Sequence, residues 1–369
     1  MEIYATSKSS YGGMILSKAG ELYGWGKNYS HIIDQNTGTS TVYNQLTKVS
    51  YPTSDPYVDV TYKELSVINN SSTNIVMALG NDGYLYMWGE TSLIPSFEHS
   101  NPATKETPRF RVDLTDSTVS NDTTHSGKVK SFNMSRNYAA LLLINEDGYL
   151  YTIGNGSSKG TAGNGCNPPS NERDKFVIID VNCDGSYDDN DKVKYISTTD
   201  YMSNAITEDG YLYSWGADTG GAIGNGSRHQ ENQPYLLDIN QDSIIDSNDK
   251  VVVTDNGNPN LNGGITESGE LYLWGNNSAS YSMLPATADG ALDANNVIVP
   301  TKVNFEEYEE GEKFTTLNFW HSGGATSTDK LSIYTWGNYD FEEERVLNNL
   351  RNVDKFTVDQ FITPAIAVK

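Results

Sequence analysis

Short apolar stretches with a period of two recur along this chain, and Gly, Asn or Asp interrupts them every few residues. That pattern predicts brief strands joined by tight turns. One phrase makes it periodic on a longer scale: GELYGWG (Gly20–Gly26), GYLYMWG (Gly83–Gly89), GYLYTIG (Gly148–Gly154), GYLYSWG (Gly210–Gly216), GELYLWG (Gly269–Gly275) and KLSIYTWG (Lys330–Gly337). Its last Gly falls at 26, 89, 154, 216, 275 and 337, so the copies lie 59 to 65 residues apart. Units of that size cannot bury their faces alone and must stack or close into a ring. One domain over 1–369 is therefore expected, with repeats near 1–60, 61–126, 127–193, 194–251, 252–313 and 314–352 and a half repeat at 353–369.

The third unit shows the content of a repeat. Its apolar stretches are Lys128–Met134, Tyr138–Ile144, Tyr149–Gly154 and Lys175–Val181. Their aromatic and β-branched content indicates four strands. The second and third are joined by Asn145-Glu146-Asp147-Gly148, a hairpin turn repeated at Asn81-Asp82-Gly83 and Glu208-Asp209-Gly210. Gly there supplies a positive φ. Four-stranded sheets stacked around an axis make an all-β propeller. Trp25, Trp88, Trp215, Trp274 and Trp336 recur in the phrase and Ile153 replaces Trp in the third copy. An apolar substitute at the exception favours packing between blades over ligand stacking.

The fourth copy is followed by GGAIGNG (Gly220–Gly226) and the third by GTAGNG (Gly160–Gly165). A strand ending in GxLYxWG with a GxLGNG-like loop after it resembles the regulator of chromosome condensation repeat family. The resemblance covers nearly the whole chain through the WG phrase, and it implies a propeller that usually has seven blades. Phe356–Lys369 aligns with the first two strands of a further unit. A seven-position ring with one incomplete blade is the favoured expectation, and six-bladed closure is the other. An unpaired edge there would admit a second chain. The fold says little about function, because that propeller serves nucleotide exchange, ubiquitin ligation, photoreception and inhibition alike.

Charge narrows the partners. The chain has 48 acidic against 25 basic residues, a net charge of −23, and no basic arm. Phosphate backbones repel such a surface, which argues against nucleic-acid binding and against the basic chromatin-binding tail of an exchange factor. The runs Glu306–Glu312 and Glu342–Glu344 read as solvated loops. No apolar run is long enough to span a membrane. Cys166 and Cys183 are the two cysteines, and pairing and free thiols are both compatible with the sequence. The start, MEIYATSKSS, already reads as repeat material, so either a leader was removed or the protein is made without one.

One motif carries chemistry. From Asp180, oxygen-bearing side chains fall at loop positions 1, 3, 5, 7, 9 and 12 (Asp180, Asn182, Asp184, Ser186, Asp188, Asp191), with Gly185 at 6. This is the spacing of the twelve-residue EF-hand calcium loop, with Asp at 12 in place of Glu. It resembles the calcium loops of dockerins. The fourth unit repeats it as Asp238, Asn240, Asp242, Ile244 through its carbonyl, Asp246 and Asp249, with Ser243 at position 6. Lys-Val follows both loops, so they occupy equivalent places in adjacent units. A fainter trace in the fifth unit comprises Asp289-Gly290, Asp293 and Asn296. Structural Ca2+ in the two full loops is expected, and weak loops of this kind suit calcium-rich surroundings outside cells.

Nothing in the sequence reads as catalytic. His31, His99, His125, His229 and His321 lie in unlike loops, and no His-carboxylate spacing, nucleophile elbow, phosphate-binding loop or zinc motif stands out. The loops after each WG, Lys27–Gln45, Glu90–Glu106 and Asn276–Asp289, differ in length and composition. Unlike loops on a repeated scaffold are where recognition sits. The expectation is a non-enzymatic binding, adhesion or structural module, extracellular or on a virion surface such as a phage tail fibre, that contacts protein or glycan. The alternatives are a propeller lyase or hydrolase acting on polysaccharide, or a protein inhibitor.

Overall fold

The computed structural model describes residues 3–9, 12–70, 73–90, 106–135, 140–154, 160–163, 175–218, 220–257, 261–277, 296–303, 305, 311–320, 323–337 and 344–345. These form six four-stranded antiparallel sheets, each with its strands in sequence order. The first holds β1–β4 (Ile3–Ser9, Gly12–Ser17, Leu22–Lys27, Val42–Lys48) and the second β5–β8 (Tyr62–Asn70, Thr73–Gly80, Leu85–Glu90, Glu106–Val112). The third holds β9–β12 (Val129–Met134, Leu141–Asn145, Leu150–Ile153, Val177–Ile178) and the fourth β13–β16 (Val193–Thr198, Met202–Thr207, Leu212–Gly216, Glu231–Leu236). The fifth holds β17–β20 (Val251–Gly257, Leu261–Thr266, Leu271–Asn276, Asn296–Lys302) and the sixth β21–β24 (Phe314–Trp320, Gly323–Thr328, Ile333–Gly337, Glu344–Arg345). The half repeat 353–369, and with it the closure of the ring, lies outside the described residues.

The Gly of each hairpin turn explains how one blade meets the next. Gly20, Gly83, Gly148, Gly210 and Gly269 have φ between 78° and 98°, a region that costs other residues roughly 1–2 kcal/mol. Their carbonyls accept from the first strand of the following blade, at Tyr62, Val129, Val193, Val251 and Phe314, over 2.7–3.0 Å. A Cβ on Gly148 or Gly210 would press on Lys192 or Lys250. Gly therefore answers two demands there, the turn and the close approach. In the sixth copy Leu331 takes the same turn at φ 66°.

The first strands of consecutive blades pack on one another (β1 on β5, β9 on β13, β13 on β17, β17 on β21), so they form the wall nearest the axis. Alternation along the WG strand does not separate a wet face from a dry one. Leu85, Tyr86, Met87 and Trp88 are all buried, as are Leu271 through Trp274, because these two sheets are covered on both sides by their neighbours. The apolar clusters accordingly run across blade boundaries: Met77 and Val112 join Phe132 and Leu143 in one, Leu142 and Ile179 join Val193 and Trp215 in another. At about 1.5–3 kcal/mol per fully buried large side chain, this inter-blade packing dominates the fold's stability.

Candidate calcium loops and the blade junctions

Up-and-down blades place their loops on two faces. The hairpin turn between second and third strands shares one face with the connector to the next blade. The loop after WG, between third and fourth strands, lies on the other. Both candidate calcium loops are connectors: Asp180–Asp191 runs from β12 to β13 and Asp238–Asp249 from β16 to β17. The fainter fifth-unit trace is not equivalent. Asn296 opens β20 and pairs with Asn276, so the trace belongs to the opposite face; Asp289, Gly290 and Asp293 lie outside the described residues.

The two loops have the same backbone. Positions 4 and 6 take positive φ in both, Cys183 (58°) and Gly185 (90°) in one, Gln241 (60°) and Ser243 (71°) in the other. Ser243 thus adopts the bend for which the first loop uses Gly. The position-12 carboxylate fastens each loop. Asp191 Oδ1 accepts from the amides of Val181 (2.7 Å) and Asn182 (3.2 Å), and its Oδ2 from Asp188 (3.0 Å). Asp249 does the same with Ile239 (2.7 Å), Asn240 (3.2 Å) and Asp246 (2.9 Å). Both acids are fully buried. Burial pushes the Asp191 carboxyl up while the three amides pull it down. A 3-10 turn, Asp189–Asp191 or Ser247–Asp249, closes each loop behind an Asp188 or Asp246 cap.

The remaining oxygens curl inward on their own backbone. Asp180 Oδ2 accepts from Gly185 N (2.8 Å), and Asp238 Oδ2 from Ser243 N (2.7 Å). Asp184 Oδ1 accepts from the Ser186 amide (2.9 Å) and hydroxyl (2.6 Å), and that hydroxyl holds its carboxyl low. Asp238 Oδ1 is buried and reaches no hydrogen-bond partner. Among the described residues no three His, Cys, Asp or Glu side chains converge as a ready-made metal cluster. Position 12 therefore acts here as a clamp on the loop. Positions 1, 3, 5, 7 and 9 supply hard oxygens, the donor type that Ca2+ requires, and the orphaned Asp238 oxygen fits a cation as well. Cys183, at position 4, is disulfide-bonded; Cys166 lies outside the described residues.

The other connectors use different hubs. Between the first two blades Arg109, almost wholly buried, makes a bidentate pair with Asp55 (2.8 and 3.1 Å) and stacks 3.5 Å from the Tyr51 ring centre. Between the second and third, Asp122 accepts from His125 Nδ1 (2.6 Å), Tyr151 OH (2.7 Å) and the Thr124 hydroxyl and amide. These bonds outweigh its burial and hold its carboxyl near 2. The sequence contains this Asp-x-x-His pair (Asp122, His125), so the expectation of no His-carboxylate spacing is corrected. The His125 ring lies tilted against that of Tyr149, their centres 4.1 Å apart. His31 Nδ1 contacts the Thr37 carbonyl, and His229 is exposed; His99 and His321 lie outside the described residues. Glu312 is likewise no solvated loop residue. It is buried and accepts from Thr328 Oγ1 (2.6 Å) and Tyr334 OH (3.1 Å).

On the opposite face the Trp residues explain the glycine-rich loops. Trp88 Nε1 donates to Ile32 O (3.0 Å), Trp215 to Thr161 O (3.0 Å) and Trp274 to Ala222 O (2.8 Å), each in the preceding blade's loop. Gly163 and Gly224 lie against the indoles of Trp215 and Trp274, where a Cβ would come within 2.4 and 2.7 Å of Nε1. Trp88, Trp215, Trp274 and Trp336 are buried and Trp25 is half-buried, so these residues pack between blades. Sequence reading missed the acceptors of the Trp88, Trp215 and Trp274 indoles. It also missed Asn28, whose Oδ1 accepts from Ile33 N (3.0 Å) and Asp34 N (3.1 Å) while its Nδ2 donates to Asp34 O (2.8 Å). Asp218 stands at the same distance after its Trp, buried, with its carboxyl raised by that burial.

No protein-family model matches the chain. Solved structures of the same shape do. Human WBSCR16 superposes with a TM-score of 0.67 at 16% identity, covering 91% of this chain and 77% of that one. Yeast RCC1 (Prp20), solved with Kap60 bound to it, gives 0.64 at 17% identity over 97% of this chain and 78% of that one. Prp20p from Saccharomyces cerevisiae, studied for its binding to Gsp1p and histones, gives 0.60 at 18% identity over 91% and 72%. This likeness establishes the fold, an RCC1-like β-propeller. Among the described residues no helix is long and apolar enough to cross a membrane.

Proposed function

We propose that this RCC1-like propeller is a non-enzymatic, calcium-stabilised binding module that recognises a protein surface through its unlike post-WG loops. The carrying observation is the matched pair of connectors at adjacent blade junctions, with one backbone conformation and one clamp despite Ser243 replacing Gly at position 6. Calcium would be held by Asp180, Asn182, Asp184, Ser186 and Asp188, and by Asp238, Asn240, Asp242, the Ile244 carbonyl and Asp246, behind the clamps Asp191 and Asp249. The ion would neutralise carboxylates that otherwise repel one another and fix each connector to the next blade.

With metal confined to the connector face, the opposite face is left for recognition. Three of its loops share a buried base, the indole-to-carbonyl bond, and differ beyond it. The solved neighbours support a protein partner, since yeast RCC1 (Prp20) was captured with Kap60 and Prp20p binds Gsp1p and histones. Weak calcium loops favour work outside the cell, at a bacterial or virion surface. The test is binding and turnover on one panel of envelope proteins and polysaccharides in millimolar calcium. Saturable binding to a protein without turnover is the expected result. Cleavage of a polysaccharide, above all cleavage lost in H125A, would overturn the non-enzymatic reading.

A further inference from the structure

The two matched connectors differ at loop position 4. There the first has Cys183 and the second Gln241, and both residues take the same left-handed turn, with φ of 58° and 60°. Each side chain reaches back toward the position-1 carbonyl. Cys183 Sγ lies 3.8 Å from Asp180 O, and the Gln241 side-chain amide donates to Asp238 O. Cys183 is in addition disulfide-bonded, a covalent tie that Gln241 has no means to make. One loop of the pair is therefore cross-linked and its twin is not.

The tie sits where the first loop has least else to hold it. Its ends are fixed, because the Asp191 carboxylate accepts from the amides of Val181, Asn182 and Asp188 and the 3-10 turn Asp189–Asp191 closes the far side. The tip from Asp184 to Tyr187 is exposed, and a Cβ on Gly185 would meet open space. The bonds of Asp184, Gly185 and Ser186 all run within the loop, to Asp180, Asn182 and one another. Cys183 stands between Asn182 and Asp184, the side chains at positions 3 and 5. The disulfide does not bend this loop away from its twin: the clamp bonds measure 2.7, 3.2 and 3.0 Å in one and 2.7, 3.2 and 2.9 Å in the other. A cross-link that restrains a loop without deforming it removes part of the ordering cost of binding.

We propose that the disulfide at Cys183 is a redox switch on the first calcium loop, an inference that rests on the calcium reading above. With the bridge intact, Asn182 and Asp184 are held in place for the ion. Reduction by a dithiol breaks the S–S bond: two electrons and two protons pass to the cystine sulfurs, leaving two thiols, while the dithiol closes to its own disulfide. The freed tip must then order itself on binding, so the loop holds calcium more weakly. The second loop, with Gln241 at position 4, carries no such switch. The junction of the third and fourth blades thus locks fully only where the surroundings are both oxidising and rich in calcium, and the junction of the fourth and fifth responds to calcium alone.

The test is a calorimetric titration with Ca2+ at pH 7.5 of two single-loop proteins, D242N, which keeps the first loop, and D184N, which keeps the second. Each is titrated with the disulfide intact and after reduction by dithiothreitol. Reduction is expected to weaken calcium binding to D242N about tenfold and to leave D184N unchanged. C183S/D242N, which cannot form the bridge, should bind like reduced D242N and ignore dithiothreitol. Binding to D242N that is unchanged by reduction, or equal weakening in D242N and D184N, overturns the redox switch and leaves the calcium reading standing. Absence of calcium binding to D242N and D184N in either redox state overturns both.

Discussion

Single residues in this propeller reveal their roles by departing from the repeat. Asp255, on β17, is an acid where Asn133, at the equivalent place two blades earlier, accepts the next blade's amide without charge, and burial pushes its carboxyl up to about 6. Its folded-state value lies above the unfolded one, so the ionised form costs stability. The cost is absent below about pH 4, grows as pH rises through about 6, and is constant above that. D255N is therefore expected to stabilise the protein by about 2 kcal/mol at pH 8 and hardly at all at pH 4, as melting temperatures across that range would show. Leu331 departs in the other sense, with a positive φ where five other turns carry Gly. L331G should stabilise by about 0.5–1 kcal/mol, measured by chemical denaturation; a destabilisation would mean that the Leu side chain packs usefully despite its exposure.

At the scale of elements, strand and turn order was legible because it rests on local chemistry. The stretches read in the third unit become β9 to β12, and the Asn145–Gly148 turn is the hairpin between β10 and β11. The two calcium-type loops could be located because twelve consecutive residues carry their pattern. What could not be read joins residues one blade apart. The indoles of Trp88, Trp215 and Trp274 find their carbonyl acceptors 52 to 56 residues upstream, a distance over which sequence pattern holds no signal. The glycine-rich loop could be seen, but not the indole it rests upon. G224A should therefore cost about 2 kcal/mol or more, through its positive φ and the clash with Trp274. G226A has a similar φ, but its nearest neighbour is Val299 Cγ1 at 3.7 Å, so it should cost only about 1 kcal/mol. Equal losses in the two variants would remove the indole contact from the account. The buried Glu312 and the Asp122–His125 pair escaped sequence reading for a different reason: their partners lie within 3 to 29 residues, but an acidic run and a lone His look solvated until the next blade's strands fold over them.

For the whole molecule, the described blades meet at five junctions, each with its own hub. Arg109 with Asp55 serves the first, Asp122 with His125 the second, and Glu312 the fifth. The third and fourth hubs are acid-lined loops of identical conformation, and in the present account Ca2+ completes them. The most direct test is the melting temperature in EDTA and in millimolar calcium, for the wild type and for a D184N/D242N double variant. These two acids are exposed, and Asn can keep the local amide bonds, so the variant should melt like the wild type in EDTA. Calcium should raise the wild-type melting temperature by several degrees and leave the variant nearly unmoved. An equal response of the two proteins, or a wild-type curve indifferent to calcium, would contradict the account.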